Sequence, residues 1–350
     1  MYDYLLVGQG IAGSLLSLEL LNAGKSILVI ADESRPSSSQ VAGGMFNPVT
    51  GKHLAKTWMA DELYPFLIKY YQELEDKLNT KFFHLTSVYR PYVNENQKNQ
   101  FIKAIEKHDI AEYLDHQECN EPYNKFINND LGGLLTKKAG WVDVPKLTDS
   151  VKKVLIDQSA YQNSVFDQNE VKFKTDGISY KGIEAKAIIY CEGYYATKNP
   201  IWSWLKFNPV KGETLLTEML DYPITEIVNQ NSWILPISGS KYRFGATYSW
   251  HELDFLPTEK GRETLIEKVD KYLSHPYKII DQQAGVRPST NDRRPIMGVH
   301  PLHKNAFIFN GLGTKGVSIA PYFAVEFCDF LCNQKELHSE TTIERFYALY

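Results

Sequence analysis

At 350 residues and a net charge of −4, with 43% hydrophobic and 23% charged residues, the chain reads as a globular protein long enough for two domains. The mild acidity excludes a global attraction to nucleic acid or to anionic membrane, and no run of about 18 apolar residues is present to span a bilayer. Cys119, Cys191, Cys328 and Cys332 form no CxxC pair and have no metal spacing with histidine, so no metal site is expected and a reduced, cytoplasmic setting fits. No signal peptide is visible, because the short apolar N-terminus is used at once as a strand.

The chain opens on an apolar strand, Tyr2 to Val7, that runs into Gly8-Gln9-Gly10-Ile11-Ala12-Gly13. An apolar helix follows from about Ile11 to Ala23, then a second strand, Ile27 to Ala31, closed by Asp32. Strand, glycine turn, helix, strand and acid in this order form the dinucleotide fingerprint in its required setting. Gly8 permits the tight turn, Gly10 lets the amides of Ile11 and Ala12 approach a pyrophosphate, and Gly13 lets the helix pack on the strand. Asp32 suits ribose hydroxyls. The fingerprint alone does not choose between NAD and FAD.

A polar stretch, Ser34 to Gln40, leads into the loop Val41 to Pro48. Apolar spacing predicts helices over about 61–78, 97–107 and 145–157. Strand-like pieces fall at 82–85 and 88–92, and a buried strand at 187–191 ends on Glu192-Gly193. Strands dominate from 210 to 287, predicted at 214–216, 224–228, 232–235 and 242–248, with one helix over about 260–273. A strand at 306–309, the loop Asn310 to Gly316 and an apolar helix over about 318–331 follow. A nucleotide domain is thus expected in several pieces, with an antiparallel-sheet domain inserted twice.

Four more segments join the fingerprint: Ala42-Gly43-Gly44-Met45; Trp233-Ile234-Leu235-Pro236 leading to Gly245-Ala246-Thr247; Ala284-Gly285-Val286-Arg287-Pro288 running on to Asp292; and Gly311-Leu312-Gly313-Thr314-Lys315-Gly316 before Ala320-Pro321. In this order they resemble the FAD-dependent D-amino-acid oxidase superfamily, nearest to glycine oxidase and sarcosine oxidase-like flavoenzymes. The closing loop also resembles the FAD domain of the bifunctional enzymes that modify the tRNA wobble uridine.

The resemblance implies non-covalent FAD and an α/β fold, in which a Rossmann-like doubly wound FAD domain carries an inserted antiparallel-sheet substrate domain. The expected division is 1–78, 140–208 and 287–350 for the FAD domain, and 79–139 and 209–286 for the substrate domain. It implies oxidation of the C–N bond of an amine or amino acid by hydride transfer to flavin N5, with oxygen or another electron acceptor. Alternatives are action on a modified tRNA base, and a flavin-binding protein without turnover. The charge argues against a nucleic-acid partner, and no membrane partner is expected.

Arg287 matches the arginine that binds the substrate carboxylate, a role its forked guanidinium suits; pairing with Asp292 is the alternative. Gly311, Leu312, Gly313, Thr314, Lys315 and Gly316 match the loop and helix start that face the flavin, where amides, helix dipole and the Lys315 charge would stabilise the reduced ring. Thr314 stands where glycine oxidases carry a second arginine. Arg243 falls on the strand that presents a lysine in sarcosine oxidases, which makes it a candidate for the active site, although arginine gives up a proton poorly and a surface strand residue is the alternative. Gly43, Gly44 and Met45 are expected under the flavin, Val165 as a backbone contact to adenine, and Glu192 and Gly193 near the pyrophosphate, with the Glu192 side chain turned away from phosphate. Lys52, His53, Trp58, Tyr195, Tyr248 and His251 are further candidates for the substrate side, without a spacing argument.

Overall fold

In the computed structural model, which describes residues 1–106, 109–119 and 123–350, the opening strand is central to its sheet. The parallel order is Tyr161–Asn163, Ile27–Ala31, Tyr2–Val7, Ile183–Tyr190 and Ala306–Asn310. These strands are near-continuous apolar runs because both faces are covered, and Leu5, Leu6, Ile188, Ile189 and Ile308 are fully buried. The hairpin Val171–Lys174 and Gly177–Tyr180 adds antiparallel to the start of Ile183–Tyr190, and Ile296–Val299 pairs antiparallel with Ala306–Asn310.

The helix Ile11–Asn22 is apolar all round, and its neighbours explain why: it lies against the sheet, with helices Val144–Asp157 and Gly316–Asn333 on its other sides. Leu15, Leu16, Leu18 and Leu20 are buried there, each worth roughly 1.5–3 kcal/mol. Asp143 caps the second helix by accepting the Lys146 amide at 3.1 Å, and Pro145 sits in its first turn, where no amide donor is needed. Pro321 inside the third helix leaves the Val317 carbonyl without its helical donor. The Tyr71 hydroxyl, from helix Ala60–Leu78, donates to that carbonyl at 2.9 Å.

A second sheet of eight strands runs in the order Lys278–Arg287, Val210–Glu218, Lys241–Gly245, Trp233–Ser238, Ile227–Asn229, Val88–Pro91, Gly133–Thr136 and Leu114–Gln117. Its neighbours are antiparallel except Ile227–Asn229 beside Val88–Pro91. Along Val210–Glu218 the faces alternate. Leu215 packs with Leu265 and Val269 of helix Glu259–Asp270, while Gly212 and Thr214 on the opposite face line a central cavity. A three-stranded sheet of Met45–Phe46, Gly140–Val142 and Phe83–Leu85 lies between, with Phe46, Phe83 and Tyr71 stacked in the first sheet's core.

Several boundaries differ from those read in the sequence. The strand expected over 242–248 ends at Gly245, and that expected over 224–228 begins at Ile227. The helix expected over 97–107 spans Glu95–Glu106; Lys107 lies outside the described residues. The ten-residue strand Lys278–Arg287 was not predicted, because Asp281-Gln282-Gln283 interrupts its apolar pattern.

Candidate active site

The glycine turn is fixed by close approach of backbone. Gly8 has φ +99, and a Cβ there would lie 2.5 Å from the Cys191 carbonyl oxygen. A Cβ on Gly13 would lie 2.0 Å from the Gly8 oxygen, so both positions require glycine. At the helix start the Ile11 amide donates to Ser39 Oγ at 3.1 Å. Gly8 and Gly10 open onto a hollow that continues past Asp32. A second hollow shares Gly10, Ser38, Ser39, Cys191 and Gly193 with it and extends under the second sheet, so the two form one channel.

Asp32 stands at the end of its strand, with its carboxyl held below the usual range first by the hydrogen bond from the Ser34 hydroxyl, with Arg35 at 3.1 Å adding to this. It remains ionised and ready to accept from hydroxyls. Glu192 also borders this hollow, and its carboxylate accepts from Asn199 Nδ2 at 2.8 Å. Burial pushes the Glu192 carboxyl up to about 7. Gly193 has φ +56, and its carbonyl accepts from Asn310 Nδ2 at 2.9 Å. Val165 lines neither hollow: its residue is 54% exposed, its carbonyl meets the Tyr180 hydroxyl, and the neighbouring Phe166 faces the cavity instead.

Gly43, Gly44 and Met45 line the inner hollow. The first two glycines also have a packing reason: a Cβ on Gly43 would lie 2.7 Å from the Trp233 ring and one on Gly44, at φ +66, 1.9 Å from the Val142 oxygen. Leu312, Gly313, Thr314 and Gly316 line the same space ahead of helix Gly316–Asn333, and Gly311 turns the chain at φ +74. Lys315 does not face the cavity. Its ammonium donates to Thr57 Oγ1 at 2.8 Å, and burial, with the nearby Arg293 charge, pulls it down to about 8.

Arg287 closes the far wall. Its guanidinium lies over the Tyr248 ring, 4.8 Å from the centroid, and Nη1 reaches the Thr247 carbonyl at 3.5 Å. It has room because Gly212, diagonal to it on the neighbouring strand, lacks a side chain: an added Cβ would fall 2.1 Å from Nη2. Asp292 is engaged elsewhere, by Arg345 at 2.9 Å and the Arg294 amide at 3.0 Å. Among the described residues Arg287 therefore has no carboxylate partner. Arg243 sits apart from the cavity and donates to the Val41 and Ala42 carbonyls at 3.3 and 2.9 Å, so it holds the loop that delivers Gly43 and Gly44. Trp58 is packed between Phe323 and the Arg294 guanidinium, away from the cavity. Tyr195 borders the outer hollow and Tyr248 the inner one; Lys52, His53 and His251 line neither.

Sequence reading missed Ser38, Ser39, Arg35 and Asn310. Ser37-Ser38-Ser39-Gln40 has the spacing of a capping box, the signal that would have found the short helix Ser38–Val41, in which Gln40 Oε1 accepts the Ser37 amide at 3.0 Å. The donors, the glycine cradle and the channel fit an extended dinucleotide. Its diphosphate would be held by Gly8, Gly10 and the amides of Ile11 and Ala12.

Comparison with known proteins agrees with this geometry. The family model for DAO, FAD dependent oxidoreductase, matches residues 3–329. Glycine oxidase of Bacillus subtilis (strain 168) is 28% identical over 132 residues, which is 37% of this chain and 36% of that enzyme. The tRNA 5-methylaminomethyl-2-thiouridine biosynthesis bifunctional protein MnmC of Marinobacter nauticus is 18% identical across 94% of this chain, but that span is 55% of its own length. The matched stretches thus span from about a third to about half of these curated relatives. The crystal structure of glycine oxidase from Bacillus cereus ATCC 14579 superposes with a TM-score of 0.81 at 19% identity, covering 96% of both chains, which shows the shared fold.

Proposed function

The chain belongs to the DAO family of FAD-dependent oxidoreductases, and from that premise we propose that it oxidises the C–N bond of a small amine bearing a carboxylate. One observation carries this reading: a half-buried guanidinium, Arg287, borders the inner hollow with no acid to neutralise it among the described residues. Partial desolvation disfavours an unpaired cation, and a carboxylate ligand relieves that cost with charge-assisted hydrogen bonds. FAD, when bound, supplies the acceptor for the hydride leaving the substrate carbon. The chain's own residues orient and polarise. Arg287 grips the carboxylate, Gly212 and Thr214 leave space beside it, and the Leu312–Gly316 turn directs a helix N-terminus at the inner hollow. Lys315, set behind that turn, adds positive potential below about pH 8 without touching the cavity. In this reading residues 1–78, 140–208 and 287–350 hold a non-covalent cofactor and residues 79–139 and 209–286 shape the substrate side, with oxygen or another acceptor restoring the oxidised form.

The test is anaerobic mixing of the yellow protein with glycine, sarcosine, proline, iminodiacetate and D-amino acids, following flavin absorbance. Bleaching by at least one carboxylate-bearing amine, lost or slowed at least tenfold in Arg287→Met, is expected. Retained colour across the whole panel overturns the reading and leaves a flavin-binding protein without turnover. A second reading, action on a modified tRNA base, draws on the alignment with MnmC along 94% of the chain. A salt-dependent electrophoretic shift of tRNA would favour it; the acidic net charge predicts none.

A further inference from the structure

The segment Ser249–Pro257 leaves the second sheet beyond Gly245 and returns at Thr258, the cap of helix Glu259–Asp270. It is fastened to the outward residues of strand Val210–Glu218. Ser249 and Lys211 exchange backbone hydrogen bonds at 2.8 and 3.0 Å. The Lys211 side chain is only 2% exposed, and its ammonium meets Asp254 at 2.5 Å. Thr258 donates both its amide and its hydroxyl to the buried Glu213 carboxylate at 2.8 Å.

These fixings determine where Phe255 goes. Asp254, Leu256 and Pro257 are exposed, while Phe255 turns inward. Its ring stacks on Tyr195, with centroids 5.9 Å apart and 14° between planes, and meets Tyr194 edge-on at 6.0 Å. On Tyr195 lies the Arg35 guanidinium, 5.2 Å from the centroid, itself paired with Asp32. The Tyr195 hydroxyl donates to the Pro36 carbonyl at 3.0 Å, which fixes the ring. Asp32, Arg35, Tyr195 and Phe255 all line the hollow that starts at the glycine turn.

We propose that Phe255, carried across from the second sheet by this pinned segment, completes with Tyr195 the wall against which the adenosine half of FAD rests. Asp32 marks the ribose position, so the space beyond it receives the adenine, whose planar face packs favourably on aromatic rings. The dinucleotide fingerprint itself requires nothing from the second sheet. Here cofactor retention depends on a side chain that only the second sheet positions.

The apo-protein, stripped of flavin and checked for folding by circular dichroism, is titrated with FAD by fluorescence quenching and with ADP by calorimetry. Phe255→Ala weakens both ligands about tenfold, the size expected for loss of one base–aromatic contact. Phe255→Leu, which keeps apolar volume, carries the same expectation and serves if the alanine variant does not fold. Asp254→Asn, which loosens the pin, weakens both about threefold. Trp250→Ala, on the same segment but 52% exposed, leaves both unchanged. A loss below fivefold for either ligand in the Phe255 variants overturns the proposal. So does a loss confined to FAD, or an equal loss in Trp250→Ala.

Discussion

Gly212→Ala tests the carboxylate grip without altering the arginine. The added Cβ would fall 2.1 Å from Nη2, 2.3 Å from Nη1 and 2.4 Å from Cζ of Arg287. To restore ordinary van der Waals separation the guanidinium must withdraw by about 1.3 Å. The backbone at residue 212 is regular strand, and alanine is tolerated in strands at least as well as glycine, so the cost falls on the arginine tip. Charge-assisted hydrogen bonds contribute about 1.5–3 kcal/mol, and a displacement of this size forfeits most of that. The apparent dissociation constant for an amine-carboxylate substrate, read from anaerobic bleaching by stopped flow, should rise roughly 10- to 100-fold. The bleaching rate at saturation should change far less, and the thermal midpoint should stay within about 2 °C of wild type. Substrate affinity unchanged in Gly212→Ala would refute the placement of Arg287 as the carboxylate anchor.

Gly8→Ala should abolish FAD retention, since its Cβ meets backbone rather than a movable side chain and φ +99 is strained for alanine; a yellow variant with wild-type absorbance would contradict this. For Lys315, burial holds the folded-state value near 8, below the ordinary 10.5, so the unfolded chain binds the extra proton between those limits and stability rises with pH across that window. Lys315→Met should therefore raise the apo-protein's thermal midpoint at pH 7 and flatten its climb between about pH 8 and 10.5; equal slopes in both proteins would sink the assignment. For Glu192 the folded value is raised to about 7, so the protonated form stabilises the fold and that contribution is lost as pH climbs from 4.5 through 7. Glu192→Gln keeps an oxygen for Asn199 and should stabilise the apo-protein at pH 8 but not at pH 4, as measured by denaturant midpoints.

Much of the nucleotide half was legible because its signals are local. The glycine spacing, the all-round apolar helix and the terminal acid each follow from contacts within about thirty residues. That Arg287 lines the cavity follows the resemblance, but its freedom from Asp292 could not be read, because Arg345 that takes Asp292 lies 53 residues away. The second sheet was harder. In strand Lys278–Arg287, Gln282 meets Glu213 at 2.7 Å and is an internal partner rather than a solvent contact, while Lys278 and Asp281 are exposed, so no simple apolar alternation marks the strand. Arg243, left between an active-site role and a surface position, instead faces inward toward the carbonyl of Ala42, 201 residues away in sequence, a contact no local pattern signals. Val165 was placed by analogy alone, and the adjacent aromatic turns to the cavity instead.

The alternation along Val210–Glu218 has one more implication. Lys211 and Glu213 carry an ammonium and a carboxylate that secure outlying chain on one face, while Gly212 and Thr214 leave the other face open beside the arginine. A slip of one residue in this strand would thrust both charges into the reaction chamber and fill the berth of the guanidinium. Fastening and vacancy are thus written in the same nine letters, and neither can be moved without exposing the other as an error.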